Sequence, residues 1–151
     1  MREPADLSRY HRQMLLPGWA EAGQRRLEES HALIVGCGAL GCAAAELLAR
    51  AGVGSLTIFD RDIVEQTNLQ RQCLFDERDA EEGTPKAQAA ARRLNAINSQ
   101  VYVTPVVADF NHRTAPRWFE DQGSKTGGAG PIGVIVDGTD NFQTRYLIND
   151  L

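Results

Sequence analysis

The chain has 151 residues, enough for one domain with a real hydrophobic core, and it is 42% hydrophobic and 24% charged. A formal net charge of -4 argues against general affinity for nucleic acid or for anionic membranes. The opening MREPADLSRY is too polar for a signal peptide, and no apolar run approaches the about 18 residues of a spanning helix, so the cytosol is the expected compartment.

In chain order, residues 8–30 read as helical in two pieces broken at Pro17-Gly18, an N-terminal arm that occupies 1–30. Residues 32–35 form a short continuous apolar run, as expected for a strand covered on both faces. The run meets GCGALG (36–41) and then a helical stretch over 42–51, closed by Gly52 and Gly54. Residues 55–60 read as a second strand ending in an acid, and 61–83 as polar and irregular.

Thr84-Pro85 opens the next helix with a capping hydroxyl and a proline in the first turn. Apolar residues at 87, 90, 94 and 97 give that helix one buried stripe. Residues 101–107 form a third strand that Pro105 places at an edge or near a bulge. A weak helix covers 114–122, a loop with five glycines spans 122–133, a fourth strand covers 132–137, and another helix starts at Asn141. Strands alternating with helices predict an α/β fold: a Rossmann-like, mostly parallel sheet with flanking helices over 31–151. Four strands are few for that fold, which suggests a truncated chain.

GCGALG follows a strand and opens a helix, the context a phosphate-binding loop requires. Gly36 permits the tight turn, Gly38 lets a ligand approach the backbone, and Gly41 lets helix and strand pack closely. The free N–H groups of the helix start face an anion. Asp60 lies nineteen residues after Gly41 at a strand end, where a carboxylate can accept hydrogen bonds from a ribose. These features point to a nucleotide without selecting which one, because dinucleotides use the same device. The three cysteines, Cys37, Cys42 and Cys73, are odd in number and lack a CxxC pair, and the histidines are scattered. Neither a disulfide framework nor a structural zinc is expected within the chain, and Cys37 and Cys42 read as small packed residues.

RYHRQ (9–13), GCGALGC (36–42), the segment 59–72 containing NLQRQ, GTPKA (83–87) and DGTDN (137–141) occur in this order. Together they resemble the MoeB/ThiF/HesA family, bacterial relatives of the ubiquitin-activating enzymes. The resemblance implies ATP-dependent adenylation of the C-terminal glycine carboxylate of a ubiquitin-like sulfur-carrier protein ending in Gly-Gly, with release of pyrophosphate. It implies that Asp60 holds the ribose while Asn68, Arg71 and Lys86 contact the phosphates. Asp140 would bind Mg²⁺, a hard ion suited to carboxylate and phosphate oxygens. Arg12 would be an arginine supplied to the neighbouring subunit's phosphate site, which implies a homodimer.

Asp62 and Asp137 read as structural acids, and Arg9, Arg92 and Arg93 as surface charge; Gln72 could assist the phosphate site but is not counted in it. Family members continue past this length, usually with paired CxxC motifs for zinc and often with a cysteine for thioester or persulfide chemistry. None of these is present here, so zinc belongs to a missing C-terminal part at most. Two rivals remain: an NAD-dependent dehydrogenase, supported by GxGxxG and Asp60 alone, and a non-catalytic scaffold of the same fold.

Overall fold

The structure is a computed structural model that describes residues 6–125 and 131–150. Its N-terminal arm is a 3-10 turn, Ser8–Tyr10, followed by α1 (His11–Met14) and α2 (Ala20–Glu28). Then come β1 (His31–Val35), α3 (Ala39–Ala51), β2 (Ser55–Phe59), a 3-10 turn at Gln66–Asn68, α4 (Glu77–Glu82), α5 (Lys86–Ile97) and β3 (Tyr102–Val106). The chain continues through α6 (Thr114–Lys125), β4 (Val134–Asp137) and α7 (Phe142–Asn149).

The described strands form one parallel sheet in the order β3-β2-β1-β4. β1 shows why it sits near the middle. Ala32 and Ile34 pack into one core with α3 and α5, while Leu33 and Val35 pack into a second with Phe59, Phe110 and Trp118. All five of its residues are buried, so the apolar run serves both faces. Phe59 meets the rings of Phe110 and Trp118 edge-on, each at 5.2 Å between centroids. β3 lies at the outer edge, as Pro105 requires.

Several boundaries differ from expectation. α3 begins at Ala39, three residues earlier than predicted, because the end of the glycine motif is itself the first helical turn. α4 lies within a segment expected to be irregular; ERDAEE has no apolar stripe, but Asp76 and Asp79 form a reciprocal capping box that starts it. Thr84 does not cap α5. Its carbonyl instead accepts from the N–H of Val64, Pro85 takes the cap position without a side-chain bond, and the N–H of Lys86 donates to the carbonyl of Asp62. α6 runs to Lys125, into the expected glycine-rich loop, of which 126–130 lie outside the described residues.

The arm is fastened to the C-terminal ends of α3 and α5. Gln13 Nε2 donates to Gln24 Oε1 at 2.6 Å and to the Ala51 carbonyl at 3.0 Å. Buried Asn98 donates to the Tyr10 hydroxyl at 2.8 Å and to the Ala49 carbonyl at 2.7 Å. Among the described residues no helix is long and apolar enough to cross a membrane.

Candidate nucleotide site at the sheet switch point

Strand order decides where a crevice can form. From β1 the chain builds outward through β2 and β3, then returns to place β4 on the other side of β1. The loops leaving β1 and β4 therefore diverge, and a crevice opens at the carboxyl ends of the strands. A cavity of about 540 Å³ lies there, lined by the glycine loop, Asp60, Asp62, Asn68, Arg71, Gln72, Lys86 and the Gly138–Asn141 turn, among others.

The glycines of the loop have separate duties. Gly36 adopts a left-handed φ of 88°, and its N–H donates to the Phe59 carbonyl at 2.8 Å. A Cβ on Gly41 would lie 1.9 Å from the Gly36 carbonyl oxygen, whereas one on Gly38 would meet nothing within 4 Å. Gly38 is thus the bare rim of the cavity and Gly41 is packed shut. Gly138, unassigned from the sequence, completes the arrangement: its N–H donates to the Val35 carbonyl at 2.8 Å, and its own Cβ would sit 2.4 Å from the Gly36 oxygen. The signal was present in DGTDN, but only the β1–β4 pairing shows that two backbones meet there. No side chain caps α3, whose first N–H groups are therefore available to an anion.

Asp60 is held rigidly at the end of β2. Its Oδ2 accepts from the N–H of Cys37 at 2.7 Å, and its Oδ1 from the N–H of Asp62 at 2.8 Å. Asn68 is buried in a capping arrangement, with its side-chain carbonyl accepting from the N–H of Glu65 at 3.0 Å, which leaves its NH₂ as the group it can offer. Arg71 is exposed and its Nη1 donates to the Thr67 carbonyl at 2.9 Å. Lys86 is buried on the first residue of α5, with its ammonium 3.5 Å from Asp62 Oδ2. Asp62 is thus a structural acid, as expected, but one that stands in the cavity and steadies Lys86.

Asp140 is exposed at the lip. It is not the cap of α7: Asn141 takes that place, its Oδ1 accepting from the N–H of Gln143 at 2.9 Å. Asp140 is thus not committed to the helix start. Among the described residues no cluster of three or more His, Cys, Asp or Glu could hold a metal. Asp140 fits an ion of the Mg²⁺ type, which keeps several waters and takes one or two carboxylates plus phosphate oxygens. Asp137 is structural, as read from the sequence. Burial would raise its carboxyl, but Arg145 and the N–H and hydroxyl of Thr139 hold it below the ordinary carboxylate range.

The structure separates Arg12 from this constellation. Arg12 is exposed on α1 and does not line the cavity. The neighbouring Gln13 is bonded to Ala51, the last residue of α3, while the glycine loop sits at the other end of those 13 residues, about 20 Å away at 1.5 Å per residue. Arg92, expected as plain surface charge, instead pairs with the buried carboxylate of Asp79. Cys37 and Cys42 are fully buried with sulfurs 3.7 Å apart; the hydrogen bond shared with Cys42 and then burial hold the Cys37 thiol well above its usual range, while that same bond draws the Cys42 thiol below its own. Cys37, buried and with its thiol held protonated, does not have the character of a nucleophile.

Comparison with known proteins agrees with this geometry. Residues 10–151 match the ThiF family. The sulfur carrier protein ThiS adenylyltransferase of Bacillus subtilis (strain 168) is 49% identical over 142 residues, 94% of this chain and 39% of that protein. The molybdopterin-synthase adenylyltransferase of Escherichia coli (strain K12) is 40% identical over 144 residues, 95% of this chain and 53% of that protein. The solved structure of E. coli tRNA N6-threonylcarbamoyladenosine dehydratase in complex with AMP superposes with a TM-score of 0.82 at 26% identity, covering 98% of this chain and 56% of that one. The chain thus spans between 39% and 56% of the length of these three proteins.

Proposed function

The chain belongs to the ThiF family, and from that premise we propose that the full-length protein adenylates the C-terminal glycine carboxylate of a ubiquitin-like sulfur-carrier protein, using ATP and Mg²⁺. The observation that carries this reading is the composition of the cavity wall. The bare start of α3 and Gly38 face a set comprising Asn68, Arg71 and Lys86, while carboxylates stand at two separate strand ends, Asp60 after β2 and Asp140 after β4. A dinucleotide site accounts for the glycine loop and Asp60. It gives no reason for two cations and an amide around the phosphate position.

In the proposed reaction the carrier carboxylate attacks the α-phosphorus, an oxygen–phosphorus bond forms, and the bond to the β-phosphate oxygen breaks to release pyrophosphate. Anion approaches anion, so the protein's task is charge compensation and alignment. The α3 N–H groups and Gly38 receive the phosphates, and Asp60, fixed by two main-chain donors, accepts from the ribose hydroxyls. Lys86 exchanges its long contact with Asp62 for a phosphate oxygen, and Arg71 gives up the Thr67 carbonyl for another. Asp140 would hold Mg²⁺, which supplies neutralisation of phosphate charge. The protein acts as a homodimer, with Arg12 completing the partner's phosphate site, because its own cavity is about 20 Å from its arm.

The test is calorimetry with MgATP and with NAD, followed by carrier-dependent exchange of pyrophosphate into ATP. Binding of MgATP and exchange only with carrier are expected. NAD binding without an ATP response would overturn the reading.

A further inference from the structure

The reaction scheme leaves one buried group of the cavity without a role. Gln72 is 4% exposed and lines the cavity with Asn68, Arg71 and Lys86. Among the described residues its Oε1 is the buried side-chain atom that finds no hydrogen-bond partner. Its main chain is fixed: the N–H donates to the Asn68 carbonyl at 3.0 Å, and the carbonyl accepts from the N–H of Phe75 at 3.4 Å. The two neighbouring cations are engaged elsewhere, Arg71 with the Thr67 carbonyl and Lys86 beside Asp62. A buried carbonyl left unpaired is costly enough that folded chains rarely keep one without a use.

The chemistry of the missing partner follows from the atom. A carbonyl oxygen only accepts, and triphosphate oxygens also only accept, so the phosphates cannot satisfy it. The other reactant, on the adenylation reading that this inference rests on, ends in a glycine whose main-chain N–H lies one residue's reach from the attacking carboxylate. We propose that Gln72 is a binding residue for that reactant, its Oε1 accepting the N–H of the terminal glycine. A neutral amide suits the position because it can lie between two anions without repelling either.

The test uses the full-length protein and two forms of a carrier, one ending in glycine and one ending in glycolate, so that an ester oxygen replaces the last N–H. With wild-type protein the ester is expected to raise the carrier KM about tenfold, the loss of one well-made hydrogen bond. Gln72→Leu should raise KM for the normal carrier by a similar factor, leave kcat and the MgATP dissociation constant within about twofold, and be indifferent to the ester. If Gln72→Leu does not fold, Gln72→Met, uncharged and of similar length, takes its place and should raise the carrier KM by a similar factor with MgATP binding unchanged. Effects of ester and substitution that multiply independently overturn the proposal, as does weakened MgATP binding in the absence of carrier. Failure of the wild-type protein to show any carrier-dependent exchange would instead defeat the adenylation reading itself.

Discussion

Replacing Gly41 and Gly38 separately by alanine should divide stability from binding, although both stand in one six-residue motif. At Gly41 the new Cβ would lie 1.9 Å from the Gly36 carbonyl oxygen, 1.1 Å short of the 3.0 Å that real Cβ atoms respect. That oxygen cannot retreat freely, because Gly138 backs it at a distance where its own Cβ would clash at 2.4 Å. Overpacking of this kind costs roughly 3 kcal/mol, and the better helix propensity of alanine returns about 1 kcal/mol. The expected net loss is about 2 kcal/mol, or a Tm lower by roughly 4–8 °C for a protein of 150–250 residues. At Gly38 the Cβ meets nothing within 4 Å and φ is -81°, so only the weaker cap preference of alanine acts, about 1 kcal/mol or less. That methyl nevertheless projects from the rim where a phosphate must come close to the backbone, and MgATP should bind at least about tenfold more weakly. Calorimetric melting and titration calorimetry on both variants decide the matter. Equal Tm losses, or undiminished ATP binding by Gly38→Ala, would refute the division of labour.

Asp140→Asn should abolish carrier-dependent pyrophosphate exchange while leaving Tm within about 1 °C, since Asn141 and not Asp140 caps α7; wild-type exchange would remove Asp140 from the metal site. Full-length Arg12→Ala and Asp140→Asn subunits, each inactive alone, should regain part of the activity on mixing, because one site of each mixed dimer keeps both residues. No recovery in dimers verified by mass would return Arg12 to its own subunit or to no role. Burial first, and then the hydrogen bond with Glu46, push the Cys73 thiol up to about 11. Its alkylation rate should therefore still be rising between pH 9 and 10, and a plateau by pH 9 would contradict that environment. The same sign predicts that any stability Cys73 contributes falls as pH rises above the unfolded thiol pKa, toward the folded one.

Much of the site was legible because its signals are contiguous. The duties of Gly36, Gly38 and Gly41 follow from a strand, a turn and a helix start within a few residues; Gly36 does make the left-handed turn, Gly41 leaves no room for a Cβ, and Gly38 stands open at the cavity rim. The stripe is buried at 87, 90 and 94 and partly buried at 97, and Pro105 does stand on an edge strand. α4 was not legible, because a helix held by a capping box between Asp76 and Asp79 has no apolar period to detect. Thr84 misled for a related reason: a hydroxyl ahead of a proline reads as a cap, but the partner that α5 uses is the carbonyl of Asp62 from another segment.

The amino-acid sequence alone determined the alternation of strand and helix, the phosphate-binding turn and the family to which the chain belongs, since each rests on side-chain types at short, regular spacing. Only the tertiary structure decided that β4 returns beside β1, and with it the place of the crevice, the contact of Gly138 with Gly36, and the separation of Arg12 from the cavity. It also decided that Arg92 neutralises Asp79 and that Gln72 is buried with an unpaired oxygen. These are meetings between segments far apart in the chain. Burial of both faces of the sheet drives them, and no local run of residues carries the register in which they meet.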